Sequence, residues 1–401
     1  MKSPPTPGTR FRPPISRKTL VARPRLIVDR HDGRRRLLTL IHGPAGYGKT
    51  TLATQWLQTL SAAGVATAWL TLGQDDNNPV WFLSHLVVAL RQVRAFSFSA
   101  PDDLAQALEG QGRPAVNYVL SSLIDDIHTT GHPLALMLDD WHRITDAGTL
   151  AALEYLLDHG CHHLQLVVTS RTRSGLPLAR LRVRDELVEI DASRLRFDHD
   201  EAKQFLVDIN RLALDDTDIA RMTSSTDGWV AALQLASLSL RDADNPHELI
   251  GHISGRHRAI GDYLVENVLA GVDARTLDFL LATCITERLD RDLAQALTHL
   301  PHTQAMLEDI EEKDLFLRSL DEDRHWFRYH HLFAEFLRRR LERDFPERIP
   351  QLHRIAAGWF ADNEYLAEAI GHLVVIDELD GAAELIESRG LDLIAESKMS
   401  T

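Results

Sequence analysis

A chain of 401 residues is too long for one hydrophobic core and calls for roughly two to four domains. With 44% hydrophobic and 25% charged residues the balance is that of a soluble globular protein, and no apolar stretch approaches the ~20 residues a membrane span needs. A formal net charge of −14 makes the body of the chain a poor generic nucleic-acid binder. The cysteines, Cys161 and Cys284, are far apart and form no C-x-x-C, which argues against a disulfide framework or a zinc site and fits a reducing cytoplasm. The pairs His162-His163 and His330-His331 lack the i, i+4 spacing of helical metal ligands.

Residues 1–20 are Pro-rich and basic, without the apolar core of a signal peptide, and read as a flexible arm. Residues 20–26 begin the ordered chain. Arg23 and Arg25, continued by Arg34, Arg35 and Arg36, form a basic cluster that faces nucleotide, an acidic partner or solvent. Leu37 to His42 is a short apolar run that reads as a buried strand.

The stretch Gly43-Pro44-Ala45-Gly46-Tyr47-Gly48-Lys49-Thr50-Thr51 fits G-x-x-x-x-G-K-[ST] and is followed by helical spacing of Leu52, Trp56 and Leu60. A strand running into a Gly-rich turn and a helix start makes a nest of backbone N–H groups, and the helix dipole adds positive potential, so phosphate oxygens bind there. Gly46 and Gly48 permit the close backbone approach and positive φ that a Cβ resists. Lys49 is expected at the β- and γ-phosphates and Thr50 at Mg²⁺, with ATP or ADP as the ligand.

After this helix, Ala66 to Leu72 reads as a second strand, and Trp81 to Leu90 and Val116 to Ile127 as helices. Leu134 to Leu138 is apolar throughout, as expected of a parallel strand covered on both faces, and it ends in Asp139-Asp140. A carboxylate at the carboxyl end of such a strand is where Mg²⁺ and its water are held beside the phosphate loop. Asp139 is therefore assigned to the metal with Thr50, and Asp140 to polarising the attacking water. A fourth strand, Leu164 to Ser170, ends at Arg171, which can reach a γ-phosphate, although such an Arg often only tethers a surface carboxylate. With a fifth strand at Leu187–Ile190, the alternation implies a doubly wound parallel sheet.

Beyond Leu195 the pattern becomes nearly all helical. Asp198 with Glu201 is an N-cap signature, and helices read at Asp216–Met222, Gly228–Leu240, Ala259–Leu269 and Ala274–Ala282. Leu315–Leu320 and His325–Tyr329 flank an acidic turn, a hairpin signal inside a winged-helix order of elements. Its wing, Asp321-Glu322-Asp323, is unsuited to DNA. From Gln351 two helical stretches suit the first unit of a TPR-like repeat array. The expected division is a basic arm (1–20), a P-loop nucleotide-binding domain (21–195), a helical domain (196–270), a winged helix (271–346) and the start of a superhelical region (347–401).

Seven blocks carry a family resemblance: GPAGYGKTTL at Gly43–Leu52, LMLDDWHRI at Leu136–Ile144, VVTSRT at Val167–Thr172, LRVRDELVEI at Leu181–Ile190, DGWVAALQLASLSL at Asp227–Leu240, DYLVENVL at Asp262–Leu269 and FRYHHLFAEFLRRRL at Phe327–Leu341. In order and spacing the chain resembles the nucleotide-binding half of the MalT-type regulators, large LuxR-family transcription activators within the STAND class of signal-transduction ATPases. The resemblance implies a cytoplasmic switch. Its domains close around ADP at rest; an inducer or regulatory protein at the C-terminal sensor permits exchange to ATP, opening and self-association; slow hydrolysis resets it. A winged-helix histidine of this class contacts the ADP β-phosphate, and the match falls on His330.

Two departures stand out. Gly73 occupies the place of an acidic residue in the family's LDxxDN, while Asp76 and Asn77 remain. No basic helix-turn-helix is visible, so DNA recognition is expected only through a segment outside this chain. The alternatives are a P-loop phosphotransferase, an AAA+-like motor, and an interaction module that holds nucleotide without cycling.

Overall fold

The computed structural model describes residues 7–15, 19–27, 36–93, 112–160, 162–241, 247, 250 and 258–388; Arg34, Arg35 and Cys161 lie outside them. The chain divides into two compact units, Met1–Ile250 and Gly251–Thr401.

The first unit is built on five strands: β1 (Leu38–His42), β2 (Ala66–Thr71), β3 (Leu134–Asp139), β4 (Leu164–Ser170) and β5 (Leu187–Ile190). All pair in parallel in the order β2-β3-β4-β1-β5. The helices α1 (Lys49–Ala62), α2 (Pro79–Arg91), α3 (Gly112–Thr130), α4 (Ala147–His159) and α5 (Leu178–Val183) connect them. Every residue of β1 and β3 is buried, which is why these strands read as unbroken apolar runs. The register His42↔Ser170 between β1 and β4 brings the end of β4 beside the turn that leaves β1.

The N-terminal segment departs from a flexible arm where it is described. Gly8–Phe11 forms a 3₁₀ turn with Phe11 buried in the sheet's core. Arg10 donates from Nε to the Thr71 carbonyl at 3.0 Å and from Nη1 to Asp75 at 2.7 Å, and pairs with Asp76. Asp76 is fully buried and also accepts from the Gly73 N–H at 2.7 Å, with its other oxygen 2.7 Å from His85 Nδ1. These contacts account for Gly73: a Cβ there would lie 2.6 Å from Asp75 Oδ1 and 3.1 Å from the Arg10 guanidinium. Asp75 and Asp76 supply the acid on which Arg10 sits.

The described members of the basic cluster likewise pair within the unit. Arg23 and Arg25 both reach Glu201, at 3.0 and 2.7 Å, and both donate to the Arg196 carbonyl. Arg36 pairs with Asp185. Glu201 is positioned by its own helix start, where Asp198 Oδ1 accepts the Glu201 N–H at 2.9 Å and Glu201 reaches back to the Asp198 N–H. Helices α6 (Asp216–Thr226) and α7 (Val230–Arg241) complete the unit. Helix α7 starts two residues later than its sequence suggests. Asp227 and Gly228 take left-handed φ values of 50° and 66°, and a Cβ at Gly228 would meet the Phe197 carbonyl at 2.4 Å. That turn leaves Trp229 outside the helix.

The second unit contains α8 (Arg258–Asn267), α9 (Ala274–Thr283), α10 (Arg291–Thr298), α11 (Thr303–Glu312), strands β6 (Leu317–Ser319) and β7 (Phe327–Tyr329), and α12 (His331–Asp344), α13 (Arg348–Asp362) and α14 (Leu366–Val375). Strands β6 and β7 form the expected antiparallel hairpin. Helices α10 and α11 were not evident in sequence: both are short, and His299 and His302 break the chain between them at φ 55° and 61°. In the wing, Asp321 accepts the N–H groups of His325 and Trp326 at 2.8 and 2.9 Å, so this acid folds the turn. Among the described residues no helix is long and apolar enough to cross a membrane.

Candidate nucleotide site

The loop between β1 and α1 takes positive φ at Gly43, Gly46 and Gly48, of 152°, 81° and 79°. Gly48 is the N-cap of α1, so the helix begins with its N–H groups directed into the loop. Pro44, Ala45 and Tyr47 are buried. Lys49 is 9% exposed, and its Nζ donates to the carbonyls of Gly43 and Pro44 at 2.6 and 2.8 Å. The ammonium therefore spans the mouth of the loop. Thr51 is exposed on the first turn of α1.

Thr50 and Asp139, read from sequence as a pair, lie together: Thr50 Oγ1 donates to Asp139 Oδ1 at 2.9 Å. A residue the sequence reading did not single out joins them. Thr169, near the end of β4, donates to the same oxygen at 2.5 Å, and its Oγ1 accepts the Asp140 N–H at 3.0 Å. Burial pushes the Asp139 carboxyl above the usual carboxylate range and adjacent Asp140 adds to this, while the Thr169 and Thr50 hydroxyls and Lys49 pull it back. Hydroxyl and carboxylate oxygens at this spacing match the all-oxygen preference of Mg²⁺.

Asp140 adopts a left-handed φ of 63°, which turns the chain into the short 3₁₀ segment Trp141–Arg143. Its carboxylate accepts from Arg143 Nε at 3.3 Å and lies 4.0 Å from His142 Nδ1. Burial lowers the His142 pKa to about 4; Asp140 opposes that shift and the charges of Arg171 and Lys49 reinforce it. His142 is thus neutral at pH 7, among the charges of the site. Arg171 follows β4 directly. His330 belongs to the second unit, where it is the N-cap of α12, is 9% exposed and donates its N–H to the Phe316 carbonyl at 2.7 Å.

The back of the loop is held by the segment before α7. The Trp229 indole Nε1–H donates to the Ala45 carbonyl at 3.1 Å, and the Ala231 N–H donates to the Gly46 carbonyl at 3.0 Å. Trp229 is fully buried and stacks on Tyr47 at 6.4 Å and 27°. Loop N–H groups turned toward a phosphate leave the carbonyls pointing outward, and these two bonds satisfy them. The available signal was Trp beside Gly228 in a segment otherwise spaced as a helix.

Comparison with known proteins agrees with this architecture. Residues 13–168 match the AAA ATPase domain family and residues 265–349 the MalT winged helix domain family. The serine/threonine-protein kinase PknK of Mycobacterium tuberculosis is 48% identical over 399 residues, spanning 100% of this chain and 36% of the kinase. The HTH-type transcriptional regulator MalT of Yersinia pestis is 33% identical over 392 residues, 96% of this chain and 42% of the regulator. The chain thus spans well under half the length of these curated relatives. A Walker-type ATPase of Pyrococcus abyssi shares the fold with a TM-score of 0.50 at 18% identity, covering 76% of this chain and 91% of that one.

Proposed function

We propose that this chain, a MalT-type unit pairing an AAA ATPase domain with a MalT winged helix domain, is a nucleotide-controlled switch, resting with ADP and self-associating with ATP. The observation that carries the reading is the double attachment of the phosphate loop. Lys49 donates to the Gly43 and Pro44 carbonyls with Thr50 bonded to Asp139 beside it, and Trp229 and Ala231 hold the Ala45 and Gly46 carbonyls. A change in the loop on gain or loss of a terminal phosphate is thereby felt in α7. A ligand bound equally in both states shifts no equilibrium, so the two nucleotides must make different contacts.

In this reading the loop N–H groups and Lys49 bind the phosphates, and Tyr47 with Trp229 keeps the loop rigid. A magnesium ion, held by Thr50 and Asp139, would supply charge neutralisation to the β- and γ-phosphates. Thr169 fixes the Asp139 carboxylate, and Asp140 orients the attacking water. Arg171 senses the γ-phosphate, which ATP alone carries, and His330 contacts the ADP β-phosphate in the closed resting form, so the two states differ in their contacts. A small-molecule inducer or regulatory protein acts through the superhelical region that begins at α13, DNA is contacted only through a segment outside this chain, and no membrane is involved. The two relatives differ in output, one a kinase and one a transcriptional regulator, while this stretch is common to both. The switch is the shared part.

The test is retention of ADP. His330→Ala should release bound ADP faster than the parent, and equal rates would remove His330 from the mechanism. Turnover with ATP should be slow, well below the ~10 s⁻¹ median of enzymes; a value in the tens per second would favour a motor or phosphotransferase.

A further inference from the structure

The second unit holds a cavity of about 950 Å³ between α12, the α13–α14 pair and the turn after α9, within the range of small-molecule sites. Leu341 and Phe360 give it an apolar wall, and Arg328, Arg338, His353 and His372 converge on it. The two histidines are paired, Nδ1 to Nδ1, at 2.9 Å. That bond requires one ring to be protonated on Nδ1 and the other on Nε2, so the pair offers one Nε2 acceptor and one Nε2–H donor. Phe360 stacks on His372 at 5.4 Å and 11° and fixes its plane. Burial first, with Arg338 adding to it, keeps both rings below the usual histidine range, so they are neutral at pH 7.

The charges around the cavity are unequally matched. Arg288 is answered by Glu368 at 2.6 Å and lies over Trp326 and Tyr365, 4.4 Å from each ring centre. Arg338 differs: it donates to the carbonyls of Cys284 at 2.7 Å and Thr286 at 3.5 Å, which orient the guanidinium without cancelling its charge. Arg328 projects from the exposed position of β7. Glu287 and Glu342 also face the cavity.

We propose that this cavity binds a small organic carboxylate with an apolar body. The carboxylate lies against Arg338 and Arg328, whose planar guanidinium groups suit it, and accepts from the donor edge of the His353–His372 pair. The apolar body covers Phe360 and Leu341. Inorganic phosphate lacks the apolar half and a neutral amide lacks the charge.

Calorimetry on the whole chain with 4-phenylbutyrate, its amide and inorganic phosphate tests this. Saturable one-site binding of the carboxylate is expected, with the amide and phosphate at least about tenfold weaker. Arg328→Gln and His372→Leu should each weaken carboxylate binding at least about fivefold. Lys49→Ala should bind it as the parent does, which separates this site from the phosphate loop. The proposal is overturned by no saturable binding, by equal binding of all three probes, or by affinities that neither cavity substitution changes.

Discussion

The indole N–H of Trp229 donates to the carbonyl of Ala45 across 184 residues of chain. The phosphate loop is thus held from behind by the segment that starts α7, and the rigidity of the loop depends on a residue outside the P-loop motif. Trp229→Phe keeps an aromatic ring and deletes the donor together with the pyrrole half of the indole. Leaving a buried carbonyl unsatisfied destabilises by about 1–3 kcal/mol, whereas Trp229→Ala also opens a cavity and should lose about 3–5 kcal/mol. Urea unfolding measures both. Identical midpoints for the parent and Trp229→Phe would mean that the bond contributes nothing.

Lys49 holds the loop mouth and is expected on the β- and γ-phosphates. Lys49→Ala should therefore weaken ADP binding by at least about a hundredfold in calorimetry, equivalent to about 2.7 kcal/mol. Retained affinity would place the nucleotide elsewhere.

Thr169 supports both acids of the site, donating to Asp139 and accepting from the Asp140 N–H. Thr169→Val preserves shape and removes both bonds. A hydrogen bond to a charged group is worth about 1.5–3 kcal/mol. ATP hydrolysis should fall at least about tenfold while ADP affinity without Mg²⁺ changes little, because the phosphate loop is untouched. A parallel loss of ADP affinity would assign Thr169 to the loop itself.

Stability should also depend on pH through His372. Burial, with His353 and Arg338 adding to it, lowers its pKa from 6.5 to about 4. The unfolded chain takes up this proton as pH falls through about 6.5, and the folded chain does so only near 4. The contribution is complete above about pH 6.5 and is lost on the way down to pH 4, by at most about 3 kcal/mol. His372→Gln should flatten the fall in urea midpoint between pH 7 and 5. An unchanged slope would assign that pH dependence to other groups.

Much of the first unit was legible in sequence because its signals are local. Runs of strand length alternating with helical periods implied the parallel sheet, and Asp198 with Glu201 announced a helix start that the structure forms. What was hidden depends on distance in sequence. Arg10 read as part of a flexible arm, and Arg23 as facing nucleotide, an acidic partner or solvent, because Asp75, Asp76 and Glu201, with which they pair, lie 65 to 178 residues away. Gly73 read as a lost acid, although its neighbours Asp75 and Asp76 carry the contact with Arg10. Trp229 read as one more apolar residue of a helix, because nothing local reveals that Asp227 and Gly228 turn left-handed and delay the helix start. Thr169 was concealed for a similar reason: its hydroxyl matters only because β4 lies beside β3.

The most direct test of the switch is the mass of the whole chain in solution, measured by light scattering, with ADP and Mg²⁺ and then with a non-hydrolysable ATP analogue and Mg²⁺. The account predicts a smaller species with ADP and a larger one with the analogue, the difference vanishing in Lys49→Ala. The same mass with both nucleotides, each demonstrably bound, would contradict it.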